Sequence, residues 1–215
     1  MARKIHNLII LDRSGSMSSM QHEAVASVNE TIGTIQSFIK NNPDSEQTIS
    51  LVTFCSCSQE YVYDMQPAHT VERLKDSEYR PCCCTPLYDT IGNSCTRLHK
   101  AIEKDEDAAV SVTIITDGYE NASREWNHQA VKSLIEQYKK EGWLFAYIGT
   151  DHDVESVAFS LSINNHIQFD KSSVGFGDMA FQESQARSRW MNKVSKMGAD
   201  IKECCCSYFS APDEE

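Results

Sequence analysis

The residues of this chain best suited to chemistry are Asp12, Ser14 and Ser16, at alternate positions in the stretch NLIILDRSGSM that spans 7–17. One carboxylate and two hydroxyls are hard oxygen ligands. They suit a divalent cation of the magnesium type better than zinc or copper. Gly15 between the serines is expected to let the backbone turn sharply. Two later positions offer oxygens of the same kind: Thr85, at the head of TPLYDTIG, and Asp117, directly after the apolar run 110–116. Together these residues supply two carboxylates and three hydroxyls, and a helix starting at Thr85 adds the positive end of its dipole. Two carboxylates balance a divalent ion, while neutral hydroxyls leave it electrophilic and short of one ligand.

The elements that must position these groups follow from periodicity. The apolar run 8–11 reads as a buried strand with Asp12 at its carboxyl end. A capping-box pattern at 18–21 starts a helix whose apolar residues Ala24, Val28, Ile32, Ile35 and Ile39 recur with a 3.6-residue period, and Asn41-Asn42-Pro43 ends it. The runs 49–54 and 61–65 are joined by a short polar link, which implies an antiparallel hairpin at a sheet edge. The segment 67–81 reads as a loop with one helical turn around 71–74. Thr85 as N-cap and Pro86 at the first helical position open a second helix, with Leu87, Ile91, Cys95, Leu98 and Ile102 inward. A strand at 110–116 follows. A helix capped by Ser123 comes next, with Val131, Leu134 and Tyr138 inward, and Gly142 closes it. The pattern continues with a strand at 143–148, a short helix at 154–161, a short strand at 166–169 and a last helix at 179–197 carrying Phe181, Trp190, Val194 and Met197. Strands alternating with helices mean an α/β fold, with helices covering both faces of a largely parallel sheet. In such sheets ligands bind beyond the carboxyl ends of the strands, where strand order reverses. One domain over 1–203 and a loose tail over 204–215 are expected.

Composition narrows the class. With 215 residues, 40% hydrophobic and 24% charged, the chain can bury a full sheet. A net charge of −11 argues against nucleic acid or an anionic membrane surface, because phosphate binding needs a basic face. No apolar run approaches the ~20 residues of a membrane span. The basic amino terminus is followed by only four apolar residues and no small-residue cleavage site, unlike a signal peptide. A cytoplasmic setting is therefore expected. Nine cysteines, several adjacent, do not resemble a secreted disulfide scaffold, so free thiols are the default.

The segments LDRSGSM at 11–17, TPLYDTIG at 85–92 and IITDGYENAS at 114–123 resemble those of a von Willebrand factor A domain with a metal-ion-dependent adhesion site. The resemblance covers roughly residues 5–170 by element pattern. It implies a Rossmann-like three-layer sandwich with a central mostly parallel sheet and one antiparallel edge strand. It also implies Mg²⁺ or Mn²⁺ bound by Ser14, Ser16 and Thr85, with Asp12 and Asp117 acting through water. The open position on the ion would take an Asp or Glu side chain of a protein partner. The chain departs from the family at 82–84, where three cysteines replace residues that are commonly Gly-rich.

The expected function is thus a metal-dependent protein–protein interaction module rather than an enzyme. The alternative is a metal-dependent hydrolase or phosphohydrolase using the same strand end. An aspartyl phosphohydrolase generally needs a second acid two residues after the first, where this chain has Ser14, and residues 13–17 do not match the Gly-x-Ser-x-Gly of serine hydrolases. Domains of this kind also work as adaptors beside ATPases. No Gly-x-x-x-x-Gly-Lys loop occurs here, so any ATPase in such a complex would be a separate protein. Asp89 reads as a first-turn charge favourable to the helix dipole, and Glu120 and Asn121 as rim or solvated loop residues. Cys55, Cys57 and Cys82–Cys84 lie in loops that the fold can bring to one end of the sheet, where four thiolates could hold zinc. No Cys-x-x-Cys pair occurs and adjacent cysteines rarely all chelate one ion, so idle thiols are the expected reading. The histidines are scattered, and the Ser173–Gly177 glycine pattern opens no phosphate loop.

Overall fold

A computed structural model describes residues 3–105, 107–196, 199–205 and 208–209. Six strands form one sheet in the order β3-β2-β1-β4-β5-β6. They are β1 (Ile5–Asp12), β2 (Gln47–Cys55), β3 (Ser58–Pro67), β4 (Ala109–Thr116), β5 (Trp143–Gly149) and β6 (Asn165–Gln168). All neighbours pair in parallel except β2 and β3, the expected edge hairpin. Every residue of β1, β4 and β5 is buried, as sequences this uniformly apolar require when helices cover both faces.

Side chains alternate across the sheet. From β1, Ile5, Ile9 and Leu11 enter one core, with helices α1 (Gln21–Asn41) and α5 (Ser173–Val194). Leu8 and Ile10 enter the other, with α2 (Leu87–Ala101), α3 (His128–Lys140) and α4 (Val154–Ser160). The result is the three-layer α/β sandwich expected. A short α6 (Ile201–Cys204) follows. Among the described residues no helix is long and apolar enough to cross a membrane.

The local departures have physical causes. A 3₁₀ helix at Gly15–Met20 precedes α1, and no side chain caps α1, so the 18–21 capping box does not form. Residues 71–74 are not helical. Val71 and Leu74 are buried, and the Asn29 amide on α1 satisfies the backbone of Leu74 at both its N–H (2.8 Å) and its carbonyl (2.9 Å). Pro86, not Thr85, precedes the first helical residue of α2. Asn127 replaces Ser123 as the cap of α3, accepting from the Ala130 N–H at 2.9 Å. Gly142, at φ +92°, closes that helix in the left-handed region. The last helix begins earlier than periodicity suggests because Ser172 caps it through the Gly175 N–H. Gly175 lies against Asp170, where a Cβ would come within 2.3 Å of the backbone oxygen. Phe181, expected inward, is exposed, and Phe176, Met179, Ala186 and Met191 join Trp190 and Val194 in the buried face. Met197 lies outside the described residues. Tyr208, in the stretch expected to be a loose tail, is buried in the α1–α5 core.

A polar network threads this core. Arg187 on α5 is fully buried and donates to Glu183 (2.7 Å), Asn7 (2.8 Å), Ser111 (3.1 Å) and Thr113 (2.7 Å). It thereby ties the helix to β1 and β4. Removing one partner of a buried pair strands the other. Arg187→Ala should therefore destabilise the fold by about 3–5 kcal/mol in urea unfolding. Replacing Arg187 and Glu183 together with Met and Leu should cost clearly less.

Candidate functional site

The strand order reverses between β1 and β4, and the loops after both strands meet there with the segment that enters α2. Asp12 ends β1, one residue beyond the Leu11–Ile115 pair, so it lies beside the end of β4. Its carboxylate is fully buried. One oxygen accepts the Ser14 N–H at 2.7 Å and the other accepts the Thr116 hydroxyl at 2.7 Å. The buried Tyr79 hydroxyl donates to the Asp12 backbone carbonyl. Gly15 does not use a left-handed φ. Its N–H donates to the Cys83 carbonyl at 2.9 Å as the 3₁₀ turn begins.

The other predicted residues converge on this point. The Ser14 and Ser16 hydroxyls are 3.1 Å apart, and Ser16 donates to Asp117 at 2.6 Å. Thr85 is buried, and its hydroxyl and that of Ser16 each lie 3.9 Å from the position a Cβ on Gly118 would take. Thr85 does not cap α2. Its N–H donates to the Asn121 side chain at 2.8 Å and its carbonyl accepts the Asn121 N–H at 3.1 Å. That two-way clamp joins the α2 entry to the loop after β4. Asp89 and Glu120 reinforce the same junction. Asp89 accepts backbone N–H groups of Arg124, Glu125 and Trp126, while Glu120 accepts those of Tyr88, Ala122 and Ser123. Asp89 lies in the first turn of α2, as expected, and both acids in addition fix the loop by accepting from its backbone.

Three participants escaped the sequence. Thr116 orients Asp12. Lys171, from the loop before α5, sits 2.9 Å from Asp117 and 2.6 Å from Asp151. Asp151 itself has φ +59°, a region that Asp tolerates better than most residues. Only Thr116, next to Asp117, carried a local signal. Nothing near Lys171 or Asp151 marked them.

Burial pushes the Asp12 carboxyl up to about 6, against the pull of the Thr116 and Ser14 hydrogen bonds, and the negative charge of Asp117 adds to the rise. Burial lowers the Lys171 ammonium, but Asp151 and Asp117 outweigh it and hold its pKa above the usual lysine value. The cluster is therefore oxygen-rich and only partly neutralised. This donor set fits a hard divalent cation: hydroxyls of Ser14, Ser16 and Thr85 with two carboxylates behind them.

A raised carboxyl pKa means that the folded state holds its proton more tightly than the unfolded one. The ionised carboxylate thus opposes folding above pH 6, and that cost fades as pH falls towards 3.8. Asparagine keeps both partners, accepting from Ser14 and donating to Thr116. With chelator present, Asp12→Asn should stabilise the fold by up to about 3 kcal/mol at pH 7.5 in thermal or urea unfolding, and the gain should vanish near pH 4.

No protein-family model and no curated protein sequence matches the chain. Solved structures do. The vWF domain of the type V pili tip protein Mfa5 from Porphyromonas gingivalis is 10% identical, with a TM-score of 0.60 over 92% of this chain and 98% of that one. The SpRpn10 VWA domain is 12% identical, with a TM-score of 0.58 over 85% and 95%. Proximal thread matrix protein 1 from the mussel byssus is 13% identical, with a TM-score of 0.55 over 87% of this chain and 46% of that one. The chain thus spans about half the length of that byssus protein. Strand order, the single antiparallel edge and these likenesses agree: the chain has the von Willebrand factor A fold.

Proposed function

We propose that the strand-end cluster is a metal-dependent adhesion site through which the protein grips a partner. Ser14, Ser16 and Thr85 would hold Mg²⁺ or Mn²⁺, and Asp12 and Asp117 would act through water. The bound ion would supply a positive, incompletely filled coordination sphere for an Asp or Glu side chain of another protein. The observation that carries this reading is the meeting of Ser16, Thr85 and Asp117 around Gly118, from three loops far apart in sequence. Hydroxyls rather than further acids in the inner shell keep the site hungry for an outside carboxylate. The pilus tip protein Mfa5 shares the fold and supports an interaction role. Among the described residues eight of the nine cysteines are present, all as free thiols, which suits the cytoplasmic setting that belongs to this reading. An ATPase acting in the same assembly would be a separate chain.

The chain's own residues prepare the site. Asp12 fixes the Ser14 backbone, Asn121 fixes Thr85, and Lys171 balances Asp117 and Asp151. Calorimetric titration with Mn²⁺ should give one site, weakened at least tenfold, as a rough minimum, by Ser14→Ala, Ser16→Ala or Thr85→Ala. Partner capture should require Mg²⁺ and disappear with Asp12→Ala, while circular dichroism stays native. Capture that persists equally in chelator would reject the proposal. Lys171→Met removes a competing cation and should tighten Mn²⁺ binding by roughly tenfold.

A further inference from the structure

Beside the oxygen cluster lies a second convergence, made of sulfur. Cys55 ends β2 and pairs with Ser58, so Cys57 is the second residue of the two-residue turn between β2 and β3. Cys82 and Cys83 lie on the segment that leads to Thr85. The sulfurs of Cys55 and Cys82 are 3.3 Å apart, and those of Cys57 and Cys83 are 2.9 Å apart. Those of Cys55, Cys57 and Cys82 all lie within 4.8 Å of one another. Tetrahedral zinc with Zn–S bonds near 2.3 Å needs sulfurs about 3.8 Å apart, so small rotations suffice for these three, while Cys83, beside Cys57 but outside the group, must turn further to be the fourth.

The sulfurs act on one another: the Cys57 thiol is pushed up by its bond to Cys83 and the Cys82 thiol up to about 12 by its bond to Cys55, which leaves Cys55 as the favoured charged member. Burial raises the Cys55 thiol, but its bond to Cys82 and the backbone N–H groups of Cys57 and Ser58 outweigh this and bring it below its ordinary value. Amides aimed at a sulfur from two and three residues ahead stabilise the charged form. Arg13 is 8% exposed, its charge acts on Cys55, and its buried Nε has no hydrogen-bond partner. Cys83 adopts φ +61°, unusual for a residue with a side chain. Main-chain bonds hold the segment in place: Cys82 N–H to the Arg13 carbonyl, and Ser56 N–H to the Cys84 carbonyl, both 2.9 Å. A groove of about 650 Å³, lined in part by Cys55, Cys57 and Cys84, gives an ion access.

We propose that Cys55, Cys57, Cys82 and Cys83 form a tetrathiolate site for a soft divalent cation, Zn²⁺ first among them, clamping the Thr85-bearing segment to the β2–β3 turn and the β1 loop. Binding forms four metal–sulfur bonds and releases the four thiol protons to buffer. No electrons move. The tetrathiolate complex carries two negative charges, and Arg13, already paired with Glu60 at 3.0 Å, offsets them only in part. Hard-oxygen chemistry at Ser14, Ser16 and Thr85 is not required, so the two sites stand or fall separately.

The test uses the full reduced chain and one equivalent of Co²⁺ or Zn²⁺. Co²⁺ should produce intense thiolate-to-cobalt absorption with tetrahedral visible bands. Zn²⁺ should bleach them and protect four thiols from an aromatic disulfide reagent. Cys55→Ser and Cys82→Ser should each weaken binding more than about 100-fold, beyond the loss expected from an outer partner. Cys204→Ser, on α6, and Ser14→Ala should leave it unchanged, which separates this site from the adhesion site. Absence of the cobalt spectrum, or binding insensitive to Cys55→Ser and Cys82→Ser, would overturn the proposal. So would Cys55–Cys82 and Cys57–Cys83 disulfides recovered from cells whose thiols were alkylated at lysis.

Discussion

The burial of the Asp12 carboxylate is the constraint on which the rest of the molecule depends. A charged group withdrawn from water costs several kcal/mol unless strong donors replace its hydration. Here the donors are the Ser14 N–H and the Thr116 hydroxyl. The first needs the chain to turn directly after β1, and the second needs β4 to lie parallel beside β1 in one register. The raised carboxyl pKa shows that these bonds compensate only in part. An incompletely compensated charge of this kind lowers the stability of the fold that holds it.

Polar chemistry also runs under the sheet. Arg187 and Glu183 sit in the apolar layer between α5 and the sheet, and besides Glu183 the guanidinium's hydrogen-bond partners are side chains of β1 and β4. Tyr208 reaches the same Glu183. A wholly apolar helix face could slide or rotate against the sheet, whereas bonds to Asn7, Ser111 and Thr113 specify one seating. Since α5 starts just after Lys171, that seating also sets where the ammonium meets Asp117 and Asp151. The interior network and the surface cluster are thus mechanically linked.

At the carboxyl end of the sheet, two ligand chemistries lie side by side without mixing. Hydroxyls and carboxylates gather between the β1, α2 and β4 loops, and sulfurs gather between the hairpin turn and the 82–84 segment. Hard and soft cations sort themselves between such donors. The backbone joins the two clusters, because Cys83 accepts from Gly15 while Thr85 follows two residues later.

The order of strands and helices, the edge hairpin, the buried stripes and the oxygen cluster are all written in local pattern. Periods of two and 3.6 suffice for the elements, and three short motifs suffice for the members of the cluster, because each is read from residues close in sequence. Caps and turns were less legible. Thr85 and Ser123 look like N-caps in isolation, yet Asn121 claims one and Asp89 and Glu120 the other, through bonds that exist only once the loops have met. Phe181 faces outward because, nine residues before the buried Trp190, it lies on roughly the opposite side of the helix. Lys171, Asp151 and Arg187 act across 20 to 180 positions of chain. The same holds for the thiols, which chain spacing alone left idle. Local sequence determined the elements and the members of the oxygen cluster; three-dimensional packing decided the counter-charges, the interior ion pair and the gathering of sulfurs, since electrostatic partners are chosen by distance in space.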